Sequence, residues 1–274
     1  MLISEFKRAF KSKKFFFIIT IGLLIHTLSL YMEIKPYIFF DYNAYDLQTP
    51  ELQASAKHMV ESGLNIYPVW FSIFKIYIVA MPILSVLPFT LSYLEDKEYG
   101  IIKYIDVRIN HYKYLITKIF VNGISGGIAI AFPTIIITIF IFIFFNGSID
   151  DFYGKGMYGG AFNNLLTHSF ILYIILHIFI EFIFGFAYAS IALAVSAFIN
   201  NKIAVMLSSF LFWIGCSIIF ASLNIHSYST ERINQFYMNS TVTAQEIFVE
   251  LTFFTVLSAV LFIFKSRKRK IYEC

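Results

Sequence analysis

An all-α, polytopic membrane protein is the fold class this sequence predicts, on three observations. The chain of 274 residues is 58% hydrophobic, 14% charged, and has a mean hydropathy of +0.73, whereas soluble domains carry roughly 25% charged residues. Its apolar residues gather in six runs long enough to cross a hydrocarbon core, which takes about 20 residues. None of these runs alternates in the two-residue period of a barrel strand, and each must close its own backbone hydrogen bonds in lipid, which favours helices.

The expected spans are 15–32, 70–94, 114–145, 169–199, 203–223 and 247–264. The first is long and bulky, with no small-x-small site before Glu33, so it reads as a span rather than a cleavable leader. Sixteen of the 21 basic residues fall on one side of this layout: Lys7 to Lys14, Lys97 to Lys118, Lys202, and Lys265 to Lys270. The positive-inside rule then places both termini in the cytoplasm, with 265–274 as a basic tail. These basic residues flank spans, where they meet anionic membrane lipids, and are no sign of nucleic acid. Cys216 and Cys274 suggest neither a disulfide framework nor a metal site.

Three flanking segments are expected to be helical without crossing. In residues 1–14, Ile3, Phe6 and Phe10 share one face while Lys7, Lys11 and Lys14 share another, the pattern of a basic amphipathic helix lying on the inner surface. On the outer side, Thr49 suits an N-cap, Pro50 the first helical position and Gly63 a stop, with Leu52, Ala56, Met59 and Val60 on one face. The third segment, LEDKEYGIIKYIDVRINHYKYLITK from Leu94, carries nine formal charges. Ile102, Ile105, Ile109 and Tyr112 fall on one helical face; Lys103, Asp106, Asn110 and Lys113 fall on another. Glu95, Asp96 and Glu98 form an acidic turn suited to a helix N-terminus, and Gly100 permits a bend. The isoleucines could pack on the membrane domain or fill a groove on a partner, and periodicity alone leaves both open.

Glu181 reads as the only carboxylate deep in a span, with His177 one turn before it. Their i, i+4 spacing puts them on one face, where they could share a hydrogen bond. An ionisable residue at that depth usually faces a protein interior or cavity, as a polar point on a translocation path, a proton-linked group, or an inter-helix contact at a subunit interface. Pro82, Pro88 and Pro133 invite kinks, and Gly123, Gly126 and Gly127 either loosen the third span or let it pack closely. No Ser/His, paired-Asp or metal-spaced constellation is present, so the chain is not expected to be an enzyme. GKG at Gly154 to Gly156 lacks the spacing of a phosphate-binding loop.

The segment EDKEYGIIKYIDVRINHYKYLITK resembles the cytoplasmic segment of type-2 ATP-binding-cassette exporter permeases. Glu95, Glu98, Gly100 and Lys118 stand where that pattern has an acidic pair, a glycine and a basic residue opening the next span. The sequence departs from it in lacking a proline near the helix end. FAYASIALAVSAFINNKIAVML, from Phe186 to Leu207, is similar to the family's fourth span, and the N-terminal amphipathic helix is similar to its elbow helix. The resemblance implies a permease half in a bacterial inner or plasma membrane. It would pair with a second copy or paralogue into twelve spans and couple to separate cytosolic ATPase subunits that bind ATP and Mg. Glu95, Glu98, Gly100, Lys103, Asp106 and Lys113 would carry the coupling, and His177 and Glu181 would mark a substrate path or interface. The expected cargo is an amphipathic peptide, lipid-like molecule or drug. The alternative is a non-transporting sensor, immunity or assembly protein that uses the same helix to hold a partner.

Overall fold

The structure is a computed structural model describing residues 1–44, 47, 49–150, 158–225 and 228–272. Asp46, Asp151, Cys274 and GKG at Gly154 to Gly156 lie outside the described residues. Among those described there is no strand, and six helices are long and apolar enough to cross a bilayer. The chain is accordingly a multi-pass helical protein. Its elements are α1 (Leu2–Phe10), α2 (Lys13–Ile38), α3 (Pro50–Gly63), α4 (Ile66–Ser72), α5 (Phe74–Leu84), α6 (Leu91–Glu98), α7 (Ile101–Arg108) and α8 (His111–Phe144). There follow α9 (Asn163–His168), α10 (Phe170–Phe198), α11 (Lys202–Ser222), α12 (Thr230–Asn234) and α13 (Ala244–Tyr272).

The first amphipathic segment is shorter than expected. It ends at Phe10, because the Ser12 hydroxyl accepts from the Phe15 N–H at 3.2 Å and caps α2, taking Lys13 and Lys14 into that helix. Phe6 and Phe10 pack around Phe89 and Val121, while Ile3 is exposed. Thr49 caps α3 through the Leu52 N–H, Pro50 opens it and Gly63 ends it, as the sequence indicates. The basic tail is no separate segment: it continues α13 to Tyr272.

The expected second span, 70–94, is instead broken. Its apolar helices run over Ile66–Leu84, residues 85–90 form turns, and α6 begins at Leu91. Pro88 has no N–H to continue the ladder, and Pro82 lies inside α5. Asn122 of α8 braces the break: it accepts from the Thr90 hydroxyl at 2.8 Å and donates to the Ala189 carbonyl of α10 at 2.6 Å.

At the centre, α8 crosses α10 at close range. A Cβ on Gly126 would stand 2.6 Å from the Ala189 Cβ and 2.8 Å from the Gly185 carbonyl, so only glycine permits this approach. The α8 glycines thus serve packing. Around this pair α2 lies against α5 and α8, and α11 and α13 lie against α10. Contacts of Arg8 with Asp96, Lys97 with Asn200, Lys202 with Glu98 and Tyr93 with Ser266 gather α1, α6, the start of α11 and the end of α13 on one face of the bundle. We term this the basic side.

Candidate functional site

A charged hub lies just inside the basic side. Lys118, in the second turn of α8, is fully buried, and its Nζ reaches Asp96 Oδ2 at 2.6 Å, Glu5 Oε2 at 2.8 Å and Ser92 Oγ at 3.2 Å. Its stem and charge lie over the rings of Phe89 and Tyr114. Asp96 is also buried; it accepts from Arg8 Nη1 at 2.6 Å and from the Tyr114 hydroxyl at 2.8 Å. Arg8 Nη2 and Lys14 Nζ both donate to Glu95, at 3.0 and 3.1 Å. Three carboxylates therefore meet three cations, drawn from α1, α2, α6 and α8. Burial by itself would push the Asp96 carboxyl up, but Lys118, Arg8 and Tyr114 outweigh it and hold the group below its ordinary value. Glu95 is likewise held low, by Lys14 and Arg8 against the effect of burial.

This corrects the reading of the acidic turn. Glu95, Asp96 and Glu98 close the C-terminal end of α6 rather than opening a helix, and their charge is met by cations from elsewhere in the chain. Glu98 pairs with Lys202 at 2.6 Å in an exposed contact. Gly100 adopts φ +67° and opens α7; a Cβ there would touch nothing, so the left-handed backbone alone calls for glycine.

The connecting helix α7 is a single eight-residue piece. Ile109 is extended, and the Asn110 side chain caps α8 by accepting from the Tyr112 N–H at 3.0 Å. The capping asparagine thus starts α8 just after α7 ends, and Tyr112 and Lys113 belong to α8. Ile102 and Ile105 pack on a cluster containing Tyr93, Tyr114 and Phe262. The opposite face points away from the bundle, with Tyr104 75% and Val107 88% exposed beside Lys103. The Asp106 side chain lies outside the described residues.

His177 and Glu181 are brought together, but inside this one chain, at 2% and 1% exposure. His177 lies between the rings of Phe74 and Phe236, with centroids at 4.4 and 4.9 Å, and Trp70 stands edge-on at 5.1 Å. Neither carboxyl oxygen of Glu181 nor Nδ1 of His177 has a hydrogen-bond partner, so the expected bond between them is not formed. Their surroundings include residues the sequence did not single out. Tyr77, Thr134 and Tyr237 neighbour Glu181. His26 binds the Ile73 carbonyl at 3.0 Å and Thr134 Oγ1 at 3.2 Å, with its ring against Tyr77. Glu250, in the second turn of α13, is a further buried carboxylate, near Thr230, so Glu181 is not the only one within a span. A lone histidine in an apolar run was the only available signal for His26. No signal marked Lys118 as more than a basic residue at a span entrance.

Compared with protein-family models, characterised proteins and solved structures, the chain matches none.

Proposed function

We propose that this chain is the membrane subunit of an ATP-driven exporter, working in the manner of type-2 ATP-binding-cassette permeases, with its basic side in the cytoplasm of a bacterial cell. Separate cytosolic ATPase subunits would bind ATP and Mg, dock on α7 and drive an amphipathic peptide, lipid-like molecule or drug outward. A second copy or paralogue would complete the path. The sparsely covered face of α11, with Ile203, Leu211 and Ile218 exposed, suits such a neighbour.

The observation that carries this reading is the two-sided build of α7. Its inner isoleucines fix it to the bundle, while Tyr104 and Val107 project into solvent, where an apolar pair on a short helix suits a groove on a partner. The helices on either side of it, α6 and α8, are joined by the Asp96–Lys118 pair, so a push on α7 reaches both. That arrangement also moves the expected coupling residues. Glu95 and Glu98 are engaged within the chain, and the free face is Lys103, Tyr104 and Val107.

Coexpression with a stand-alone ATP-binding-cassette ATPase from the same genome is the test. The two proteins should copurify, with ATP hydrolysis stimulated, and the Y104E/V107E variant should lose both. An intact complex in that variant refutes docking through α7. Failure of any such ATPase to bind favours the sensor or assembly alternative.

A further inference from the structure

We propose that the groove between α1 and the first four turns of α8 seats one anionic phospholipid, with an acyl chain along the groove and the phosphate at its mouth. The groove has a volume of about 630 Å³ and is walled by Leu2 and Phe6 on one side and by Ile116, Phe120 and Ile124 on the other. From Lys113 to Ile124 it runs about 17 Å at a rise of 1.5 Å per residue. That is close to the half-thickness, about 15 Å, of a hydrocarbon core. Its length therefore matches one leaflet.

Polar character is confined to the end on the basic side. Asn110 and Thr117 spend their side chains on the helix itself: the first accepts from the Tyr112 N–H, and the second donates to the Lys113 carbonyl at 2.7 Å. Lys113 remains exposed and forms no ion pair among the described residues. The Arg267 guanidinium, 5.7 Å from the centre of the Tyr112 ring, brings a second exposed cation to the same end. Among the described residues no carboxylate lines the groove, and the acid of α1, Glu5, is engaged by Lys118. Two cations above an apolar slot complement a phosphodiester carrying hydrocarbon. A second copy of this chain would bring its own basic side to the same depth, cation against cation, and is the poorer occupant. Lipid bound here would hold α1 from its lateral face while the hub holds it from within. This inference needs the bilayer but not the transport reading, so failure of an ATPase to bind leaves it standing.

The experiment places Phe120→Trp in the full chain in lipid nanodiscs and reads quenching of the added indole against the parent protein. Brominated phosphatidylglycerol, as a minor component, should quench several times more strongly than brominated phosphatidylcholine at the same fraction. The preference should vanish when Lys113 and Arg267 are both changed to Gln. Equal quenching by the two lipids would mean ordinary surrounding lipid and overturn the proposal; no quenching by either would mean that protein covers the groove, and would overturn it too. Should the tryptophan variant fail to fold, native mass spectrometry of the otherwise unaltered chain replaces it. Retained phosphatidylglycerol must then fall in K113Q/R267Q, and unchanged retention refutes the site.

Discussion

Replacing Lys118 by Met tests the hub most directly. At 2.6 Å from Asp96, the attraction is about 6 kcal/mol at an effective dielectric of about 20. Dehydrating the two ions costs several kcal/mol each, so the formed pair adds little net stability. Removing one partner is a different matter. Asp96, its side chain 1% exposed, would keep only Arg8 and Tyr114, and Glu5 would keep only a 4.0 Å contact with Arg8. Stranding buried carboxylates in this way should cost about 3–5 kcal/mol. The remaining Arg8 contact argues for the lower end. The double variant D96N/K118M removes the Asp96 charge as well as the cation, leaving only Glu5 short of a partner, and should recover at least about 1 kcal/mol of the summed single effects. The assay is equilibrium unfolding of the purified chain in mixed micelles by titration with a denaturing detergent. The reasoning is refuted if K118M unfolds within about 0.5 kcal/mol of the parent, or if the two single effects simply add.

Further expectations concern pH, the helix crossing, α7 and the buried pair. Asp96 and Glu95 hold protons less tightly folded than unfolded, so their contribution is complete at neutral pH and is lost as pH falls below about 4. Acid unfolding should begin there in the parent and show a smaller pH slope in D96N. Gly126→Leu forces a side chain against Ala189 and the Gly185 backbone and should cost at least about 2 kcal/mol, seen as a lowered melting temperature in detergent. Gly100→Ala meets no neighbour, so backbone strain alone should cost about 1 kcal/mol, with Asn recovering part of it. Glu181→Gln and His177→Gln should leave subunit association unchanged in light scattering, because both residues are enclosed within one chain; dissociation would mean that they reach an interface.

What the sequence makes legible is what depends on near neighbours. Hydropathy finds four of the six crossings to within three residues at both ends and stops six residues short on the first, and Thr49, Pro50 and Gly63 mark α3 because caps act within one turn. Pro82 and Pro88 flag trouble in the second crossing, but nothing local says that six residues would leave the helix, since Asn122 and Ala189 brace that gap from far along the chain. The hub is hidden for the same reason. Arg8 lies 88 residues from Asp96, and Glu5 lies 113 from Lys118, so each charge looks like surface or like a topological signal until the helices are assembled. The depth of Glu181 is visible in sequence; the aromatic enclosure of its neighbour His177 by residues from α4, α5 and the segment after α12 is not. For α7, the periodicity identifies the inner isoleucines correctly but runs past Arg108, because it cannot weigh Asn110 as a cap.

The hub also sets an order for making the protein. Helix α1 leaves the ribosome well before α6 and α8, so its Glu5 and Arg8 have no buried partners until Asp96 and Lys118 have been synthesised. At roughly 5–20 residues per second, that delay is on the order of ten seconds. Throughout it, α1 must wait at the aqueous surface with its charges hydrated. Its docking then certifies that the broken crossing and the start of α8 have both been seated at the right depth. A chain mis-inserted at either point would leave α1 unlatched and open to proteolysis, which gives the cell a handle for discarding it.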